Sequence, residues 1–165
     1  MAQPITSVQA PQQVLCFALA GESYGIPILK VREIQGQTVV TRIPQAPDYL
    51  TGVINLRGAI VPIVDLRVRF SLGDPPEGTR PVTVIVEVLG RTLGMKVDMV
   101  SDVVDLNPEQ LKPAPEWADG AALGREFIAG LASLGEPGDA AMLILLDLDR
   151  LLSMDEMSSL AAAGL

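Results

Sequence analysis

Histidine is absent from this 165-residue chain and cysteine occurs once, so the side chains with chemistry to offer are carboxylates, arginines and hydroxyls. Without His the commonest general base is missing, as are the Ser-His and Cys-His nucleophile pairs. Cys16 alone does not make an ordinary zinc or iron site, and neither a G-x-x-x-x-G-K-[ST] nor a G-x-G-x-x-G phosphate loop is present. Carboxylates do occur in pairs, Asp102 with Asp105 and Asp147 with Asp149, the raw material of glycosidase-type acid/base work. Each pair follows apolar residues at a strand end, which fits solvated turn charges better. Arg57 is different. It stands in Asn55-Leu56-Arg57-Gly58 between two apolar runs, where Asn55 and Gly58 supply turn chemistry and the guanidinium must point outward. A planar, bidentate donor on so rigid a mount suits recognition of a partner. Trp117, the only tryptophan, sits in the proline- and acid-rich stretch APEWADG, where an exposed large aromatic invites a binding role. The expectation is a binding module that is not an enzyme and needs no metal or cofactor.

Such residues have to be positioned by short strands. Gln13 to Ala20 reads as a strand, Gly21-Glu22-Ser23 as a turn, and Tyr24 to Ile34 as a second strand bent by Gly25 and Pro27. Thr38 to Ile43 is a third strand candidate. Pro47 then opens a short helical turn that Gly52 closes left-handed. Val53 to Leu56 and Ala59 to Val64 are the strands that flank Arg57. Ser71 to Pro81, rich in Gly, Pro and charge, is an exposed connection. Beyond it the pattern returns: Gly25, Ile28, Val31 and Ile34 match Gly94, Val97, Val100 and Val103, each 69 positions on, and Asp65 matches Asp147, 82 positions on. Two related halves of about five strands each follow from this repeat, with extra loop in the second half. Asn107 with Pro108 and Gln110 forms a helix-capping pattern, and Ser153 with Glu156 starts a short C-terminal helix. The first 12 residues read as a mobile tail.

Composition narrows the class further. An apolar share of 48% opposes disorder, and 20 Asp and Glu against 12 Lys and Arg, a net charge of −8, opposes sequence-independent binding to nucleic acid or to an anionic membrane. No apolar run approaches the ~18 residues of a membrane span, and the N-terminal residues lack a secretory pattern. The lone Cys16 lies within an apolar strand pattern, VLCFALA, and reads as a small buried hydrophobe. A cytoplasmic protein of one domain, or of two small units sharing a core, is expected.

Three stretches, YGIPILKVREI, TRIPQAPDYLTGVINLRGAIVPIVDLRVRF and DVVDLNPEQLKPAPE, resemble the CheW-type chemotaxis coupling proteins, and the likeness runs from Gln13 to about Leu160, leaving 161–165 as a C-terminal end. The resemblance implies an all-β fold of two packed five-stranded SH3-like β-barrels with short helical turns and a C-terminal helix. It implies an adaptor without catalysis that bridges the cytoplasmic tips of chemoreceptors to the regulatory domain of the CheA histidine kinase, within membrane-bound receptor arrays. By the same likeness Val31, Glu33, Val40, Gly52, Arg57 and Trp117 face the kinase, and Asn55, Arg57 and Val103 face the receptor. A coupling protein of a chemotaxis-like pathway with another output, such as surface motility, is the alternative. A small-ligand-binding β-barrel is the more distant one.

Overall fold

Alternation of side chains along each strand decides this fold, because several strands bury side chains on both faces. The computed structural model describes residues 12–36, 38–112, 128–134 and 142–151. Its strands are β1 (Gln12–Leu19), β2 (Glu22–Pro27), β3 (Val31–Gln35), β4 (Leu50–Leu56), β5 (Ala59–Asp65), β6 (Val82–Val88), β7 (Arg91–Val97), β8 (Met99–Leu106), β9 (Leu111–Lys112), β10 (Ile128–Ser133) and β11 (Met142–Leu146). On β1, Leu15, Phe17 and Leu19 enter one core while Val14 and Cys16 enter another. On β6, Val84, Val86 and Val88 join the first core and Ile85 a third. Strands buried on both faces read as continuous apolar runs, which is why their sequence pattern was so plain.

The strands form two sheets, ordered β8-β1-β2-β11-β10-β9 and β3-β6-β7-β5-β4. These are the walls of two SH3-like barrels, as expected. Under the internal repeat β1 and β2 correspond to β6 and β7, β3 to β8, and β4 and β5 to β10 and β11, so the two sheet orders coincide. Their ownership does not follow the halves of the chain. The β1–β2 hairpin lies in the sheet of β8 to β11, and β6–β7 lies in the sheet of β3 to β5. The matched glycines explain how each hairpin enters: Gly25 pairs in parallel with Leu145 and Gly94 with Ile63. A Cβ at Gly94 would lie 2.6 Å from Ile63 Cδ1, and one at Gly25 would lie 3.1 Å from Leu143 Cδ2.

The largest core lies between the sheets. Leu15, Phe17, Leu19 and Ile26 of one sheet meet Val84, Val86, Leu93 and Met95 of the other. The rings of Phe17 and Tyr24, and of Tyr24 and Phe70, stack with centroids 5.8 and 6.0 Å apart. Each barrel closes on a single helical turn, α1 (Leu66–Arg69) and α2 (Leu148–Leu151). The matched aspartates start them: Asp65 accepts a hydrogen bond from Arg67 N at 2.9 Å and Asp147 from Arg150 N at 3.2 Å.

Several local expectations are corrected. Tyr24 to Ile34 is two strands, because after Pro27 a 3-10 turn at Ile28–Lys30 carries the chain from one sheet to the other. Thr38 to Ile43 forms only a one-residue bridge between Thr41 and Val53. Pro47 begins a β-turn, with Leu50 N donating to Pro47 O at 3.0 Å, and no helix. Gly52 caps nothing; it lies within β4, where the register shifts between Leu50 and Gly52. The second barrel has six strands, the sixth being the two-residue β9. Asn107 does begin a turn, a 3-10 turn at Pro108–Gln110, and Gln110 Oε1 reaches back to Asn107 N at 2.8 Å. Residues 71–81 hold no helix or strand. The N-terminal tail, Trp117 and the helix expected from Ser153 lie outside the described residues.

Candidate protein-docking site

The β4–β5 hairpin closes through two left-handed residues, Arg57 (φ 51°) and Gly58 (φ 91°), the two-residue turn whose twist matches that of the flanking strands. Asn55 holds it: its Oδ1 accepts from Gly58 N at 2.8 Å. Arg57 is thereby projected with 71% of its side chain exposed, and both its terminal nitrogens reach Glu33, Nη1 to Oε1 at 3.4 Å and Nη2 to Oε2. Gln35 Nε2 donates to the same carboxylate at 2.7 Å. β3 and β4 are the outermost strands of the five-stranded sheet, so this ion pair spans the seam of barrel one. Hydrogen bonding from Arg57 holds the Glu33 carboxyl below its usual range against an opposing desolvation, with a lesser contribution from Gln35, and the pair raises Arg57.

Beside the pair runs a groove of about 450 Å³, with Leu56, Ile60, Pro62 and Leu93 as its apolar lining and Arg32 and Arg91 on its walls. Arg32 is paired with Glu87. The net charge conceals how basic this barrel is. Residues 28–97 carry nine Lys and Arg against six Asp and Glu, whereas the rest of the chain carries three against 14. An arginine-walled apolar groove beside a fixed ion pair can dock a protein surface that brings both apolar and acidic groups.

Of the other sequence candidates, Val40 and Gly52 meet at the bridge between Thr41 and Val53. A Cβ at Gly52 would lie 2.7 Å from Val40 Cγ1 and overlap the Thr41 carbonyl, so glycine is required by the close approach of the segment that seals β4. Val31 is half-buried against the shared core. Val103 lies in the other barrel, on its outermost strand β8, and is 49% exposed. Glu33, Asn55 and Arg57 are thus brought together, Val40 and Gly52 form a second group, and Val103 stands apart.

Two features were missed. Ile34, the repeat partner of Val103, is 47% exposed, and the repeat itself could have signalled it. Arg67 and Asp98 form a bidentate pair, with Nε and Nη2 each 2.7 Å from a carboxylate oxygen. Asp98 also accepts from Ala20 N at 2.9 Å, and Arg67 Nη1 donates to Gly73 O and Asp74 O, each at 3.1 Å. Partners 31 positions apart and nearly buried leave no sequence signal.

Among the described residues no cluster of His, Cys, Asp or Glu is arranged to hold a metal, and no helix is long and apolar enough to cross a membrane. The double barrel and its exposed docking face define a protein-binding scaffold. The particular family follows from comparison: residues 13–156 match the model of the CheW-like domain, and the chain belongs to that family. It is 48% identical to the chemotaxis protein CheW of Klebsiella aerogenes over 89% of this chain and 85% of that one. It is 26% identical to Protein FrzA of Myxococcus xanthus over 91% of each. The crystal structure of the scaffolding protein TtCheW from Thermoanaerobacter tengcongensis superposes with a TM-score of 0.77 at 32% identity, covering 89% of this chain and 96% of that one. The chain is a chemotaxis coupling adaptor.

Proposed function

We propose that this adaptor acts without catalysis in the cytoplasm, joining chemoreceptor tips to the regulatory domain of a CheA-type histidine kinase in membrane-bound arrays. The observation that carries the reading is the exposed Arg57–Glu33 pair on a turn locked by Asn55, beside an apolar groove. Glu33 and Arg57 serve the kinase by direct contact, and Val31, Val40 and Trp117 are assigned to the same partner. Gly52 serves by letting the Thr41 segment lie close to β4. For the receptor, Val103 and its repeat partner Ile34 offer exposed aliphatic surface, and Asn55 sets the tip from which Arg57 reaches. The adaptor acts by stabilising the kinase regulatory domain in one of two arrangements, and the receptor biases which of them prevails. The closer relation to a chemotaxis protein than to Protein FrzA favours this output over another.

Calorimetric titration of the chain into the regulatory domain of a CheA-type kinase from the same organism tests the reading, with Glu33→Ala and Arg57→Ala alongside. A one-to-one complex of micromolar affinity, weakened by either change, is the expected result. Absence of binding by the folded protein would restrict the family relation to the fold.

A further inference from the structure

A second concavity opens at the other end of the barrel-one strands, about 620 Å³ in volume and lined by Thr38, Val40, Thr51, Ile63, Thr83 and Lys96. We infer that it is a binding site for an aliphatic carboxylate. Thr83 is 5% exposed, and its hydroxyl has no hydrogen-bond partner among the described residues. Its methyl faces Gly94, where an added Cβ would lie 2.7 Å from Thr83 Cγ2. A buried donor left unsatisfied is destabilising, so an incoming oxygen that accepts from it recovers that cost. Lys96 is the register partner of Thr83 on β7 and shares its face; its one ion pair among the described residues, with Asp65, is loose at 3.7 Å. Arg80 lines an adjoining hollow that shares Gly36 and Pro81 with this one. The Lys96 cation and three hydroxyls select an oxyanion, while Val40 and Ile63 select the hydrocarbon attached to it.

That chemistry is carried by a free short-chain carboxylic acid or by the terminal carboxylate of a peptide ending in an aliphatic residue. Titration of the methyl-labelled full chain followed by NMR separates them, using hexanoate, hexanol, and a valine-terminated peptide with its terminus free or amidated. Hexanoate or the free peptide is expected to shift the Thr51, Ile63 and Thr83 methyl resonances saturably, with hexanol and the amide at least tenfold weaker. Tighter binding of hexanoate identifies a small acid, and tighter binding of the free peptide identifies a chain terminus. Thr83→Val and Lys96→Met each weaken binding about tenfold, the effect of one charge-assisted hydrogen bond. Thr83→Val removes an unsatisfied donor without changing shape and keeps or raises the melting temperature, so the test does not hinge on a damaged fold. The inference is overturned if neither carboxylate shifts these methyls saturably, if hexanol binds as well as hexanoate, or if both substitutions leave binding unchanged.

Discussion

Arg57 and Asp98 show how differently two ionised residues serve one chain. Arg57 is mostly exposed, and an ion pair in that setting contributes little to stability because water and salt screen it. Arg57→Ala should therefore melt within about 3 °C of the parent while losing affinity for its partner; thermal unfolding and calorimetry on the same sample check both halves. Asp98 is the opposite case. Hydrogen bonds from Arg67, with that from Ala20 N, hold its carboxyl below the usual aspartate range, and desolvation offsets only part of this. A depressed folded-state value means stability that is present above the unfolded aspartate pKa of about 4 and lost as pH falls through the lower folded value. Urea unfolding between pH 7 and pH 2 should show this loss in the parent and less of it in Asp98→Asn. Asp98→Ala leaves the Arg67 guanidinium nearly buried without its carboxylate, and its melting temperature should fall by about 10 °C at neutral pH.

Among the elements, the segment that seals barrel one is the most constrained. Thr41 exchanges two backbone hydrogen bonds of 2.8 Å with Val53, and this is possible only because Gly52 presents no Cβ to the Thr41 carbonyl. Gly52→Ala adds that overlap to an unfavourable φ of 155° and should cost about 3 kcal/mol. Amide exchange at Thr41 and Val53 should accelerate far more than at the middle of β6; uniform acceleration would show a global rather than local effect. The hairpin at Arg57 was legible beforehand because turn chemistry is local: Asn55 and Gly58 act within four residues of each other. The fate of Gly52 was not legible, since glycine signals conformational freedom and close approach alike, and only the position of Thr41 distinguishes them.

For the molecule as a whole, the exchange of hairpins makes the two barrels a single folding unit. Their main core is formed jointly by both sheets, so neither barrel can unfold without exposing the other's apolar face. One cooperative transition is expected. Phe17→Ala, at the centre of that core, should lower stability by about 4 kcal/mol and raise exchange in both sheets together; a second, separate transition would refute the single unit. The sequence by itself determined the strands, the turn that carries Arg57, the repeat and the family likeness, because apolar alternation, turn residues and repeated spacing are all written along the chain. The repeat was read as two halves of about five strands each, and that much is present. Which half each hairpin joins was decided only in three dimensions, since parallel pairing of β2 with β11 and of β5 with β7 depends on contacts between residues far apart in the chain. The same holds for the Arg67–Asp98 pair and for the arginine-walled groove: burial and long-range pairing are properties of the packed chain, and no local pattern encodes them.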